Sequence, residues 1–203
     1  MSILEIFRTK TIFDFFSALK HQQLQYILGG FNKTYKMEHT RLFCQKLGLT
    51  FDTNQMAEEQ ELIELLHTTF FASSADFTQA FRDMSETELD SWLTTDEKWG
   101  LKKLNRVKRF KSFVELYRSR LSRENVTEEE RMKRMCERNP RYILRNWIAQ
   151  QAIEKAEKGD FSEVQLLYQV LSRPYDKQEK AEEMGYAGPV PEWSKELVVS
   201  CSS

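Results

Sequence analysis

Three thiols and three imidazoles are the side chains of this 203-residue chain best suited to nucleophilic, redox or metal chemistry: Cys44, Cys136, Cys201, His21, His39 and His67. Their spacing argues against most of it. The cysteines lie 92 and 65 residues apart, and an odd, widely spaced set is neither a disulfide framework nor a zinc site. The histidines form no HExxH pair and no second ligand at helical spacing, so no metal-binding residue is assigned. His39 and Cys44 do not share a helix face, which argues against a Cys–His nucleophilic pair. Cys201 is the candidate redox residue. A thiol this close to a chain end is accessible, and its oxidation or disulfide exchange follows its thiolate fraction. An unreactive tail cysteine is the plainer reading. No catalytic residue is assigned.

Charged and glycine-containing stretches add little chemistry. Glu58, Glu59, Glu61 and Glu64, and then Glu128 to Glu130, read as solvated helix faces and favourable charge near helix N-termini. There is no GxxxxGK[ST] and no GxGxxG, so no cofactor-binding residue is assigned. The adjacent Gly29 and Gly30 read as a helix stop. Lys102, Lys103, Arg106, Lys108, Arg109, Lys111, Arg118 and Arg120 face only Glu115 along one span. A single-strand groove would want such a stripe with stacking aromatics. Without a base-reading motif, the stripe reads as a polar face paired with acids elsewhere, and no nucleic-acid partner is expected. Lys plus Arg number 30 against 31 Asp plus Glu, so the net charge of -1 points to no partner.

The elements that would position these groups are helices. Seven Gly and four Pro are too few for a turn-rich all-β chain, and 12% aromatic residues exclude simple disorder. No apolar run approaches the roughly 20 residues of a membrane span. Residues 1–28 read as one or two apolar helices ending at Gly29-Gly30, and residues 31–47 as a following helical run ended by Gly48. Residues 55–71 carry Met56, Leu62, Ile63, Leu65, Leu66 and Phe70 at helical spacing. Asp76 caps a short helix, Ser85 with Glu88 forms a capping box for another, and Thr127 with Glu130 forms a third such start. Residues 101–121 read as one long basic helix with a single apolar face. Asn139-Pro140 reads as a cap followed by proline at the first helical position. Gly159 ends that helix, Asp160 caps the next, and Pro174 stops it. Beyond 176 the chain is charged, then extended through Gly188-Pro189-Val190-Pro191, with Trp193 and Leu197 able to dock a tail and a short strand at 197–199.

One stretch is more specific. Asn139-Pro140-Arg141-Tyr142-Ile143-Leu144-Arg145-Asn146-Trp147, followed by Ala149-Gln150 and Ala152-Ile153, resembles the NPxYxLRN…AQxAI signature of selenoprotein O and its bacterial relatives. Gly159-Asp160-Phe161 with Val164, Pro174-Tyr175, and Pro191 with Trp193 continue the family pattern in order. Ser200-Cys201-Ser202-Ser203 resembles its tail, where selenocysteine or cysteine precedes two serines. Upstream, Phe31 and Tyr35 with Lys46-Leu47-Gly48-Leu49, Asp76-Phe77-Thr78 with Phe81-Arg82, and Tyr117 with Arg120-Leu121 are similar to further family segments.

The resemblance implies the mainly α, C-terminal part of a pseudokinase-like fold, ending in an extended Pro-containing tail. It implies an enzyme that transfers AMP from ATP to Ser, Thr or Tyr hydroxyls of proteins, with magnesium or manganese. It divides the chain into a divergent apolar segment at 1–30, a helical family region at 31–175 and a charged linker with a Cys-containing tail at 176–203. The family's ATP and metal core precedes this region, so no cofactor is expected on this chain alone and the chain alone is expected to be inactive. Cys201 matches the redox-active tail residue, with its disulfide partner in the preceding part. Partners implied are protein substrates or a full-length family member. The alternative is a regulatory or protein-interaction helical module with a redox-responsive Cys201. Eukaryotic members imply mitochondria. Residues 1–20 are a poor presequence, with Arg8 as the one arginine and Glu5 and Asp14 interrupting, which leaves the cytoplasm open.

Overall fold

The computed structural model describes residues 21–197. Among the described residues the chain forms nine α-helices and three short 3-10 turns, with no strand. It divides into two compact units between Leu42 and Phe43, and helix α1 (His21–Lys46) runs across that division. Contrary to the reading of Gly29-Gly30 as a stop, α1 passes through both glycines. A glycine stop needs a left-handed residue, and Gly48 supplies it with φ of 72°, whereas Gly29 and Gly30 have no positive φ. Leu49 N–H then returns to the Cys44 carbonyl at 2.9 Å, closing the helix end.

Two apolar cores occupy the second unit. The first gathers Cys44 from the last turn of α1 and Leu47 just past its end, Leu62 and Leu66 from α2 (Met56–Ser73), and Phe81 and Met84 from α3 (Phe77–Glu86). Trp92, then Leu101 and Leu104 of α4 (Trp99–Leu104), Phe110, Val114 and Tyr117 of α5 (Lys108–Leu121), and Met135 of α6 (Glu128–Cys136) complete it. Asp76 caps α3 as its sequence position requires, its Oδ1 accepting from Gln79 N–H at 2.8 Å. Thr127 caps α6 in the same way, accepting from Glu130 N–H at 3.2 Å.

Two local readings give way to tertiary structure here. Ser85 is no cap: it is buried inside α3 and its hydroxyl donates to Phe81 O at 2.7 Å. The single basic helix at 101–121 is two helices, α4 and α5. Asn105 Nδ2 donates to Trp92 O at 3.0 Å, and Val107 takes an extended conformation, φ −109° and ψ 119°, before α5 begins. The apolar face predicted for one helix is kept across both.

Helices α7 (Asn146–Ala156), α8 (Ser162–Ser172) and α9 (Glu179–Glu183) build the second core around Tyr142, Trp147, Ile148, Val170, Ala181 and Tyr186. Gly159, at φ 83°, ends α7, and Asp160 Oδ1 accepts from Ser162 N–H at 2.9 Å to start α8. Asn139-Pro140 does not open α7, which begins at Asn146. The intervening backbone is claimed by a long-range partner: the N–H groups of Arg141 and Tyr142 both donate to Pro174 O, at 2.7 and 3.1 Å. The segment after 176 includes α9 and a 3-10 turn, Glu192–Glu196; Leu197 packs against the second core while Trp193 stays half-exposed. Most of the strand expected at 197–199 lies outside the described residues. No described helix is long and apolar enough to cross a membrane.

Candidate functional site

The signature residues meet at a polar seam between the two cores of the second unit. Asn139 is fully buried, and its Nδ2 donates to Lys46 O at 2.7 Å and to Ser85 Oγ at 3.1 Å. Lys46 Nζ donates back to Asn139 Oδ1 at 3.2 Å. Arg82, from α3, donates to the carbonyls of Asn139 at 3.0 Å and Cys136 at 3.2 Å and pairs with Glu86 at 2.6 Å. Helix α3 therefore grips the chain where it leaves the first core.

Arg141 carries the connection across. Its guanidinium meets Glu86 of α3 at 2.5 Å and takes Glu182 of α9 in a two-pronged pair, with both distances 2.7 Å. Such a fork is the strongest common form of side-chain ion pair. Tyr142 hydroxyl donates to the same Glu182 carboxylate and accepts from Gln178 N–H at 3.0 Å. Arg145 holds Asp76, the α3 cap, through two bonds of 2.5 and 3.0 Å. Burial alone would push Glu86 up, but Arg82, Arg141 and Lys98 hold it down at about 2 against an ordinary 4.5. The Arg141 fork lowers Glu182.

These shifts fix an acid limit. A carboxylate whose folded pKa is depressed stabilises the fold above its unfolded value, and that contribution is lost as pH falls toward the folded one. For Glu86 the window runs from about 4.5 down to about 2. Asp83 has the opposite sign: burial raises it above 3.8, so its protonation below that raised value favours the folded state and partly offsets the loss. Urea midpoints are expected to stay flat from pH 7 to about 5 and fall steeply below about 4.5; a midpoint flat down to pH 3 would contradict the network.

A second polar cluster lies inside the first core. Glu59 is fully buried, pairs with Arg120 of α5 at 2.8 Å and accepts from Cys44 Sγ at 3.2 Å. This corrects the reading of the α2 acids as one solvated face. Arg120 also donates to Thr50 O at 2.7 Å and pairs with Glu124 at 2.9 Å. Burial and the facing Glu59 push the Cys44 thiol far up, so Cys44 is chemically quiet. Elsewhere on the basic span, Arg118 pairs with Asp90 at 2.7 Å and Lys102 with Asp96 at 3.5 Å.

Two of the histidines rest against aromatic rings. His39 stacks on Tyr35 at 5.8 Å, and His67 meets the edge of Phe43 at 4.6 Å. Among the described residues no group of three or more His, Cys, Asp or Glu is placed to hold a metal ion. Cys201 lies outside the described residues. Sequence reading named Asn139, Arg141, Tyr142 and Arg145, and Arg82 in a separate family-like segment, but missed the carboxylates Glu86 and Glu182 that partner them. The available signal was three arginines in and around an apolar signature, since a buried guanidinium demands a carboxylate.

Residues 8–172 match the family model of protein adenylyltransferase SelO, and the chain belongs to that family. It is 35% identical over 192 residues to the protein nucleotidyltransferase YdiU of Vibrio vulnificus strain YJ016, covering 91% of this chain and 37% of the relative. It is 38% identical over 176 residues to the protein of the same name from Thioalkalivibrio sulfidiphilus, covering 87% of this chain and 34% of the relative. The chain thus spans little more than a third of the length of these relatives. The match begins at residue 8, so it takes in most of the segment before Phe31 that the motifs had set apart. Both relatives are bacterial and lend no support to the mitochondrial expectation.

Proposed function

We propose that the chain is the helical C-terminal part of a protein adenylyltransferase whose pseudokinase-like core binds ATP and magnesium or manganese in the portion of the relatives that this chain does not span. In that reaction a protein Ser, Thr or Tyr hydroxyl takes the adenylyl group of ATP and pyrophosphate leaves. The role of this part is to scaffold. The observation that carries the reading is the use of the signature side chains: Asn139, Arg141, Tyr142 and Arg145 each bond to other parts of this chain, tying two cores together. The sequence offers no phosphate loop and no kinase-like acidic motif to supply the chemistry.

The chain on its own is expected to leave a protein acceptor unlabelled when incubated with ATP labelled at the α-phosphate and manganese. Transfer of label by the purified chain would overturn the reading. In the same proposal Cys201 is the redox residue. Timed alkylation of the native chain is expected to modify Cys201 before half-buried Cys136 and to leave Cys44 unmodified until unfolding. Prompt modification of Cys44 would contradict that order.

A further inference from the structure

Ion pairs absorb only part of the basic span. Lys102, Arg118 and Arg120 meet acids, as a solvated polar face would. Yet from Lys102 to Lys111 there are six cations and no acid, in a chain whose net charge is -1. Within that run Arg106, Lys108 and Arg109 are exposed, and their side chains enter no ion pair or hydrogen bond among the described residues. Lys108, Arg109 and Lys111 stand in the first turn of α5, and no acid accompanies them there. A helix start is the positive end of the helix dipole, so cations at that end oppose helix stability. Helix α6 has the reverse arrangement, opening on Glu128, Glu129 and Glu130. The cluster at the start of α5 therefore works against the fold, and its use lies in what it attracts.

A cleft of about 400 Å³ opens at the same place, lined by Leu93, Asn105, Val107, Lys108, Phe110 and Lys111. Its lining joins aliphatic side chains, Leu93 and Val107, to two ammonium groups. That combination suits an occupant with carboxylates beside an apolar side chain, since complementary charge selects a partner and an apolar contact adds affinity. A single strand of nucleic acid would want exposed rings for its bases, and Phe110, the ring in this lining, is fully buried. We propose that the α4–α5 cleft docks an acidic segment of a protein acceptor. Carboxylates of the segment meet Arg106, Lys108 and Arg109, and one apolar side chain rests on Leu93 and Val107. Clusters of cations recognise acidic motifs in this way in other peptide-binding modules. That the segment belongs to an acceptor rests on the proposed function; the cleft and its cations do not.

The test is fluorescence anisotropy of the full chain at low ionic strength. The probe is a short labelled peptide of glutamates and aspartates flanking one leucine. Saturable binding that weakens with added salt is expected. Lys108→Glu with Arg109→Glu should weaken it at least about 20-fold, because like charges then face each other. The same variant should melt at or above the wild-type midpoint, since acids suit that end of α5. Arg106→Ala, outside the helices, should weaken binding about 3-fold. Serine in place of the peptide's leucine should cost about 10-fold, and Leu93→Ala should weaken the leucine peptide while leaving the serine peptide unaffected. Lys158→Glu with Arg173→Glu changes the net charge equally on exposed positions of the second core and should cost less than about 2-fold. Absence of binding would overturn the proposal, as would equal losses in the two charge-reversal pairs or equal affinity for the leucine and serine peptides. An oligothymidylate that binds as tightly as the peptide would also overturn it and assign the face to nucleic acid. Failure of peptide binding would remove the cleft and leave the scaffold reading intact; AMP transfer by the chain alone would remove that reading and leave the cleft.

Discussion

Arg141→Ala is expected to lower the unfolding free energy by about 3 kcal/mol, at the lower end for breaking a mostly buried ion pair because the site keeps some solvent. The substitution removes one cation from between two carboxylates. Glu86 retains Arg82 and Lys98, but Glu182 loses both prongs of its fork and keeps the hydrogen bond from the Tyr142 hydroxyl and the more distant charge of Lys177. The damage should therefore be uneven. Hydrogen exchange is expected to speed first in α9 and the segment after 176, while α2, α3 and α5 hold their protection until global unfolding. Arg141→Lys should recover less than half of the loss, since an ammonium cannot reproduce the planar two-pronged contact. Uniform acceleration across both cores, or no change in either, would show that the seam does not couple them as described.

Glu59→Ala should cost more, about 3 to 5 kcal/mol, because it leaves the Arg120 guanidinium in the first core with a carboxylate missing. Arg120 would keep Glu124 and Thr50 O, so the chain should still fold, with a lower urea midpoint. Glu59→Gln retains the volume and an acceptor oxygen and should fall between alanine and wild type. Replacing Glu59 and Arg120 together with methionine should destabilise less than the sum of the two single changes, since the pair is removed as a unit. Additive single and double effects would mean that the pair contributes no coupling. Solvent-face behaviour, with Glu59→Ala within about 0.5 kcal/mol of wild type, would mean that Glu59 is not buried as the structure has it.

The parts of this architecture legible in sequence are those set by near neighbours. Asp76 and Thr127 cap because the N–H groups they need lie within three residues, and Gly48 and Gly159 end helices because a left-handed residue is a local demand. The apolar spacing of α2 placed Leu62, Ile63 and Leu66 in the core for the same reason. What local spacing cannot report is competition from far along the chain. Pro174 O draws the Arg141 and Tyr142 N–H groups out of a helix that Asn139-Pro140 would otherwise have begun. Glu59 sits in a run of exposed glutamates, and only Arg120, on another helix, tells it apart from them.

The seam shows the same division. Its signature half is contiguous and was recognised as a pattern; of its other half, Arg82 falls in a second family-like segment, while the carboxylates Glu86 and Glu182 are scattered over α3 and α9 and have no motif of their own. A family resemblance located the residues but did not state their work. That work follows from geometry: the head groups of Asn139, Arg141, Tyr142 and Arg145 end on partners within this chain.

The central claim is that this helical region scaffolds an adenylyltransferase and holds no nucleotide site of its own. Its most direct test is calorimetric titration of the folded, purified chain with ATP in the presence of manganese and, separately, magnesium. The account predicts no saturable heat with either metal while circular dichroism and a cooperative melt show the chain folded. Saturable micromolar binding by the chain alone would contradict it and place a nucleotide site among these helices.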